Sequence, residues 1–138
     1  MSRINIGIRP DELCDQHLLA EYRELPRMRK LAHERYARFG RVGPRPTEPT
    51  LGTGHMAFWL PYGIDLMMRY NDLCAEMRRR GFRPKLEWRG YMFQLLLLTP
   101  EEESACRALL IPRIQDRLRT MKRTPTWTNA QRPAWAEV

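Results

Sequence analysis

Residues 16–27 read QHLLAEYRELPR, and a helix drawn through them has two contrasting faces. At about 100° per residue, Leu18, Tyr22 and Leu25 share an apolar face that predicts packing against a core. The opposite face surrounds Ala20 with polar and charged side chains: Gln16, His17, Arg23, Glu24 and Arg27. A lone carboxylate among arginines suits proton transfer or the stabilisation of a cation, although a solvated face with local ion pairs is the alternative.

The composition indicates a single globular domain, residues 1–138, with an anionic partner. A chain of this length that is 43% hydrophobic and 29% charged can bury a core of its own. The net charge is +8, and 21 of the 24 basic residues are Arg, which favours forked contacts with phosphate. Nucleic acid is therefore the first partner to expect, with general solubility as the simpler explanation. Cations are dense in residues 27–41: Arg27, Arg29, Lys30, Arg35, Arg38 and Arg41.

The hydrophobic periodicity predicts an all-α fold of three main helices joined by long irregular loops, with no sheet of consequence. The first helix is expected to begin at Asp11. Pro26 either kinks this helix on its way to about residue 39 or opens a second helix from its first turn. Further helices are expected over residues 64–80, closed by Gly81, and from a capping box at Thr99 to about residue 121.

Apolar spacing predicts the buried sides of the last two helices. On the 64–80 helix these residues are Ile64, Met67, Met68, Cys74 and Met77, and on the last helix they are Leu110, Ile114, Leu118 and Met121. Pro112, inside the last helix, should kink or split it. Residues 82–98 are compatible with a loop, a short helix or a strand. Trp127 is expected to pack against the protein core instead of stacking on a DNA base.

Metal-binding and membrane classes find little support. Cys14, Cys74 and Cys106 lack the CxxC spacing of a zinc site, so the first two are expected to be small core residues. His55 has no Cys or His at metal spacing and is expected to be a structural hydrogen-bonding residue. The absence of a signal peptide and of a bilayer-spanning apolar run predicts a reducing, cytosolic location. No P-loop, GxGxxG, HExxH or GxSxG motif occurs.

Five segments carry a resemblance to a known family: Arg3-Ile-Asn5, Asp15-Gln-His-Leu18, residues 20–27, Leu51-Gly-Thr-Gly-His55 and Arg80-Gly-Phe82. The match is dense over residues 2–27, patchy over 50–82 and weak beyond, where Pro125-Thr-Trp127 is the main similarity. The eight consecutive residues at 20–27 make it specific. On these residues, the chain resembles the pyrimidine-dimer DNA glycosylases of the phage endonuclease V type.

The resemblance implies a DNA repair glycosylase with AP-lyase activity that acts on cyclobutane pyrimidine dimers in duplex DNA. It implies that removal of Met1 exposes the α-amine of Ser2, which attacks the anomeric carbon of the dimer's 5′ nucleotide and forms an imine. Loss of a neighbouring proton then cuts the strand by β-elimination, with Glu24 as acid and base and with no metal or organic cofactor. The implied DNA contacts are Arg3, Gln16, His17, Arg23, Arg27, Arg117 and Lys122.

The protein is expected to be a monomer, and the resemblance further implies that it kinks the duplex and extrudes the base opposite the lesion. The protein would act at the nucleoid if it is bacterial, or in the host cytoplasm if it is viral. Two alternatives stay open: a glycosylase of the same fold for an oxidised or alkylated base, and a non-enzymatic basic DNA-binding module. Borohydride trapping on damaged and undamaged duplexes distinguishes the three.

Overall fold

A computed structural model describes residues 4–85, 88 and 96–138, and all of their regular structure is helical. The α-helices are α1 Asp15–Glu24, α2 Arg27–Phe39, α3 His55–Trp59, α4 Gly63–Arg80 and α5 Pro100–Thr120, with 3₁₀ turns at Pro10–Glu12 and Ala134–Ala136. No strand occurs in the described ranges, and the all-α prediction is confirmed. Four helices have ten residues or more, where three main helices were expected.

The first helix begins four residues later than predicted. Pro10–Glu12 form a 3₁₀ turn, and the backbone of Leu13 and Cys14 is extended, with ψ of 141° and 160°. This extended pair stops the turn from continuing into a helix, so α1 begins at Asp15 and the expected start at Asp11 was wrong.

Pro26 separates two helices. Leu25 and Pro26 form a turn, and α2 begins at Arg27. Because proline has no backbone N–H, it cannot donate the hydrogen bond that would continue α1. The chain therefore follows the second alternative at this position, with two helices instead of one helix kinked at Pro26.

The predicted ends of α4 and α5 are close to those observed. Gly81 closes α4 with a φ of 96°, in the left-handed region that favours glycine. Thr99 and Glu102 form the expected capping box, in which each side chain pairs with the other's backbone N–H at 3.1 Å. α5 continues past exposed Pro112 as far as Thr120, so the helix is not split there.

The buried side of α4 is only partly the predicted one. Ile64 and Met68 are 39% and 56% exposed. The apolar residues that α4 buries are Leu66, Tyr70, Leu73, Cys74 and Met77. α4 packs against α1, where the ring of Tyr70 stacks on Tyr22 with centroids 5.6 Å apart, and this contact selects the buried side. On α5 the predicted Leu110, Ile114 and Leu118 are buried, and Met121 is half-buried.

The N-terminal segment lies directly on α5. Ile4, Ile6 and Ile8 are buried, and Gly7 between them has a φ of 111°. A Cβ at position 7 would lie 2.9 Å from the backbone nitrogen of Arg107, so the approach of the two backbones requires glycine. The first described residues are thus held within the core.

The C-terminal tail packs back on the beginning of the chain. The indole N–H of Trp127 donates to the carbonyl oxygen of Glu12 at 3.0 Å, which confirms the predicted docking of Trp127. The sequence did not decide whether residues 82–98 form a loop, a short helix or a strand. Most of these residues lie outside the described part of the chain. Half-buried Trp88 is described, and its ring lies 5.6 Å from that of Tyr70.

The cysteines belong to the core. Cys14 and Cys74 are buried as predicted, Cys106 is buried as well, and burial raises the pKa of each thiol. Among the described helices, including the 21-residue α5, none has the apolar run that crossing a bilayer requires.

Candidate active site on the first helix

The polar face predicted for residues 16–27 is formed by α1 and the first residue of α2. Arg23 and Arg27 are exposed, and Ala20 is half-buried. Glu24 is half-buried, and its Oε2 is screened from solvent. Screening lowers the local dielectric, which strengthens the interaction of this carboxylate with a cation in a bound ligand. The face therefore has the chemistry that its sequence predicted: a carboxylate accompanied by two exposed guanidinium groups.

The other glutamate of this stretch has a structural position. Glu21 is 0% exposed, and its two carboxylate oxygens each accept a hydrogen bond from Arg69 of α4 at 2.8 Å. Arg69 also donates to the carbonyl oxygen of Ile8. This ion pair holds α1, α4 and the N-terminal segment in one arrangement, because losing either partner would leave a buried charge uncompensated. Sequence reasoning missed it; the available signal was an arginine on the apolar side of α4.

His17 is buried, at 4% exposure, and does not lie on the solvent side where the helical projection put it. His17 precedes Glu21 by one helical turn, so the same edge of α1 carries both residues. The packing of Glu21 against Arg69 turns this edge inwards. The helical projection therefore misplaced His17, which lies at the border between the polar and the apolar face of α1.

Gln16 joins the candidate site to the chain that follows α5. Its Nε2 donates to the carbonyl oxygen of Thr124 at 3.0 Å, and its Oε1 accepts from the backbone N–H of Thr126 at 3.2 Å. A primary amide offers two N–H groups and two acceptor lone pairs. These two bonds leave one N–H and one lone pair of Gln16 for other partners.

A buried charge network fixes the beginning of α1. Asp15 accepts hydrogen bonds from Arg80 at 2.9 Å and from the hydroxyl groups of Thr126 and Thr128, each at 2.6 Å. Burial alone would raise the pKa of Asp15, but these hydrogen bonds outweigh it and hold the pKa below its ordinary value. Arg80 also donates to Glu76 at 2.8 Å. The network locks the end of α4 and the tail to the helix that carries Glu24.

α5 brings further cations towards the beginning of the chain. Burial lowers the pKa of His55, and the charges of Arg113 and Arg117 lower it further. α5 lies beside the N-terminal segment, because Arg107 of α5 donates to the carbonyl oxygen of Gly7 at 3.1 Å. Lys122 is exposed, two residues before the Thr124 that binds Gln16.

Two of the predicted site residues, Ser2 and Arg3, lie outside the described residues. The chain is described from Ile4 onward, where Ile4 and Asn5 are both 2% exposed. The expected structural role of His55 is confirmed by its contacts with two backbone carbonyls, those of Ile4 and Thr50.

The arrangement can bind an anion and move a proton. The guanidinium groups of Arg23 and Arg27 can fork onto phosphate, and Glu24 can exchange a proton or stabilise a cation. In the ranges 4–85, 88 and 96–138, no group of three His, Cys, Asp or Glu side chains is arranged to hold a metal ion.

Comparison with protein families identifies a match over the first part of the chain. A family model described as pyrimidine dimer DNA glycosylase matches residues 1–90, nearly two thirds of the 138-residue chain. The matched part contains α1 to α4, and with them Glu24, Arg23 and Arg27. Arg117 and Lys122 lie beyond it.

Proposed function

The chain belongs to the pyrimidine dimer DNA glycosylase family, and we propose that it acts on cyclobutane pyrimidine dimers in duplex DNA through an imine formed at its own N-terminus. Removal of Met1 would leave Ser2 with a primary α-amine, which titrates near neutral pH and is therefore partly uncharged. Such an amine is a competent nucleophile without a metal or an organic cofactor. We propose that the domain, residues 1–138, acts as a monomer.

The observation that best supports this proposal is the position of Glu24. It is half-buried, its Oε2 is screened from solvent, and exposed Arg23 and Arg27 lie one and three residues from it within the matched part of the chain. A carboxylate at the surface would be hydrated, and its attraction to a cationic intermediate would be weak. A carboxylate screened from solvent attracts such an intermediate strongly. This is what an amine-based mechanism requires beside its nucleophile.

The first stage breaks the glycosidic bond of the dimer's 5′ nucleotide. The Ser2 nitrogen bonds to the anomeric carbon while the bond between that carbon and the base breaks. The base takes the electron pair and a proton, and it stays joined to its 3′ neighbour through the cyclobutane ring. The nitrogen then loses one of its two protons, the sugar ring opens as the ring oxygen takes up a proton, and a cationic imine remains. Glu24 stabilises this cation and transfers the protons.

The second stage cuts the strand. The imine acidifies the proton on the adjacent sugar carbon, and Glu24 removes it. The electron pair forms a carbon–carbon double bond and expels the 3′ phosphate, which is β-elimination. Hydrolysis of the imine then frees the enzyme, and no oxidant or reductant is needed in either stage.

The cations are proposed to hold the phosphates on either side of the lesion. Arg23 and Arg27 can each fork onto one phosphate, with Arg3 beside the nucleophile. Arg117 and Lys122 extend this contact from the end of α5. Holding a kinked duplex with an extruded base costs a few kcal/mol, less at a damaged pair that stacks poorly.

Gln16 and His17 are proposed to contact the lesion site. The amide of Gln16 keeps one N–H and one lone pair beyond its bonds to Thr124 and Thr126. These bonds give it a fixed orientation, which suits a group that reads a ligand by hydrogen bonding. His17 is buried beneath the polar face of α1 and would support the bottom of the lesion-binding site from inside the protein.

The experiment that tests the function uses four duplexes of one sequence, carrying a single cyclobutane dimer, an oxidised base, an alkylated base or no lesion. Cleavage of the glycosidic bond and cleavage of the strand are measured separately for each. We expect both activities on the dimer only. Activity restricted to an oxidised or alkylated base would identify a glycosylase of different specificity, and binding without cleavage of any duplex would identify a non-enzymatic DNA-binding module.

A further inference from the structure

The N-terminal segment is held by its backbone carbonyl groups. Three side chains from three different parts of the fold contact them through nitrogen atoms. His55 of α3 contacts the carbonyl oxygen of Ile4, Arg107 of α5 donates to that of Gly7 at 3.1 Å, and Arg69 of α4 donates to that of Ile8. The segment is also buried, so its path is fixed by both packing and hydrogen bonds.

The contact made by His55 is the one nearest to the start of the chain. The ring is 4% exposed, with Nε2 at 3.0 Å from the Ile4 oxygen and Nδ1 at 2.8 Å from the Thr50 oxygen. His55 is the first residue of α3, and Gly54 before it has a φ of 94°. A carbonyl oxygen only accepts hydrogen bonds, so a neutral ring can donate to one of these two oxygens and only a doubly protonated ring can donate to both.

We propose that His55 is a positioning residue for the catalytic amine, which it holds in place through the N–H of its Nε2 and the carbonyl group of Ile4. This inference rests on the proposed function, in which the nucleophile is the nitrogen of Ser2. Only Arg3 lies between Ser2 and Ile4, and the three residues that run from the Ser2 amine to the Ile4 carbonyl group span at most about 11 Å. The anchor is therefore close enough to limit where the amine can lie.

Positioning matters because the amine must reach the anomeric carbon beside Glu24. A misplacement of about 1 Å can slow an enzymatic reaction about a hundredfold. His55 does not touch the DNA in this proposal, so its loss should slow imine formation and leave DNA binding intact. If His55 had a purely structural role, its loss would lower imine formation and DNA binding together, in proportion to the fraction of protein that remains folded.

The test compares His55→Gln with His55→Asn. The glutamine amide can supply an N–H near the position of Nε2 and keep the bond to Ile4, whereas the shorter asparagine reaches only the position of Nδ1, towards Thr50. Phe58→Leu, a core change on the same helix at a fully buried position, is the matched control. The rate of borohydride trapping is measured in single turnover with saturating dimer-containing duplex, at a temperature where circular dichroism shows every variant folded. The dissociation constant is measured in parallel.

We expect His55→Asn to trap about ten- to a hundredfold more slowly than wild type. Its affinity for the duplex should stay within about twofold, as expected for a residue that makes no phosphate contact. His55→Gln should recover most of the rate, and Phe58→Leu should trap at the wild-type rate. Trapping by His55→Asn at the wild-type rate would overturn the inference, as would equal losses in the asparagine and glutamine variants.

A second measurement does not depend on any variant folding. Nitrogen-15 NMR of histidine-labelled wild-type protein reports which ring nitrogen carries the proton. We expect a protonated Nε2 at His55, and a neutral ring protonated on Nδ1 alone would overturn the inference, because Nε2 would then present a lone pair to the Ile4 oxygen. A different result would show that the proposed function itself is wrong: the wild-type protein would then form no imine at its N-terminus.

Discussion

Glu12 joins three distant parts of the chain through one buried carboxylate. Arg107 of α5 donates to its two oxygens at 2.7 and 2.9 Å, and the indole N–H of Trp135 in the tail donates at 2.7 Å. The backbone N–H of Arg9 adds a fourth bond at 3.0 Å. Replacing this residue by glutamine keeps the shape and removes the charge, and the new NH₂ group would face donors where an acceptor is needed.

The size of the effect follows from the pKa of Glu12. Burial alone would raise this pKa, but the hydrogen bonds from Arg107, Trp135 and Arg9 outweigh it and lower the pKa from its ordinary 4.5 to about 2. That difference corresponds to about 3 kcal/mol of folding free energy. Because the folded-state pKa is depressed, this stability is fully present above pH 4.5 and is lost as the pH falls towards 2. For a domain of this size, 3 kcal/mol lowers the melting temperature by about 10 °C.

The assay is urea unfolding of wild-type protein and Glu12→Gln, followed by tryptophan fluorescence at several pH values between 7 and 3. We expect Glu12→Gln to be about 3 kcal/mol less stable at pH 7. The difference in free energy of unfolding between the two proteins should become smaller below pH 4.5, because only the wild-type protein loses the contribution of this carboxylate. Asp11→Asn is the matched control, since its exposed ion pair with Arg9 should contribute less than about 1 kcal/mol.

The comparison between the two proteins isolates Glu12 from other acids whose pKa is also lowered, such as Asp15 and Glu76. These residues titrate in both proteins and cancel in the difference. A gap that stays constant from pH 7 to 3 would refute the electrostatic reasoning, as would a loss below about 1 kcal/mol at pH 7.

Two further predictions concern the candidate site. Glu24→Gln should slow glycosidic-bond cleavage at least about a hundredfold while affinity for dimer-containing duplex stays within a few-fold, because only the charge and the proton are removed. Normal turnover by this variant would show that Glu24 has no part in the mechanism. Arg27→Ala should reduce the slope of log K against log salt concentration by about one, as expected for the loss of one phosphate contact. Arg119→Ala, which changes a cation on the side of α5 away from Arg117, should leave the slope nearly unchanged, and equal slopes in both variants would show that Arg27 contacts no phosphate.

Local signals in the sequence were sufficient for several features of the fold. The capping box at Thr99 and the glycine at position 81 act within one helical turn, so they predicted the start of α5 and the end of α4 closely. Pro26 likewise interrupts the helix by its own chemistry. The extended pair before α1 has no comparable local signal, and the start of that helix was missed.

The buried side of α4 could not be derived from hydrophobicity alone. Arg69 and Arg80 are buried there, while Ile64 and Met68 are exposed. Periodicity treats an arginine as a surface residue, yet each of these two pairs with an acid of α1, 48 or 65 residues away in the chain. Such partners become visible only when the fold is known.

The same distinction applies to the candidate site. Arg23, Glu24 and Arg27 are neighbours within two helical turns, so the sequence alone was enough to group them. The contact of Gln16 with Thr124 crosses 108 residues, and that of His55 with Ile4 crosses 51. No spacing rule connects residues so far apart, and for this reason the structural support of the site was not predicted.

The central claim is that the nucleophile is the α-amine of Ser2. Its most direct test is to trap the protein on dimer-containing duplex with borohydride, digest the product, and locate the cross-linked residue by mass spectrometry, which also shows whether Met1 has been removed. We predict a single cross-link at the nitrogen of Ser2, and none after reductive methylation of the terminus. A cross-link at Lys30, Lys85 or Lys122 would contradict the claim, because a lysine would then form the imine.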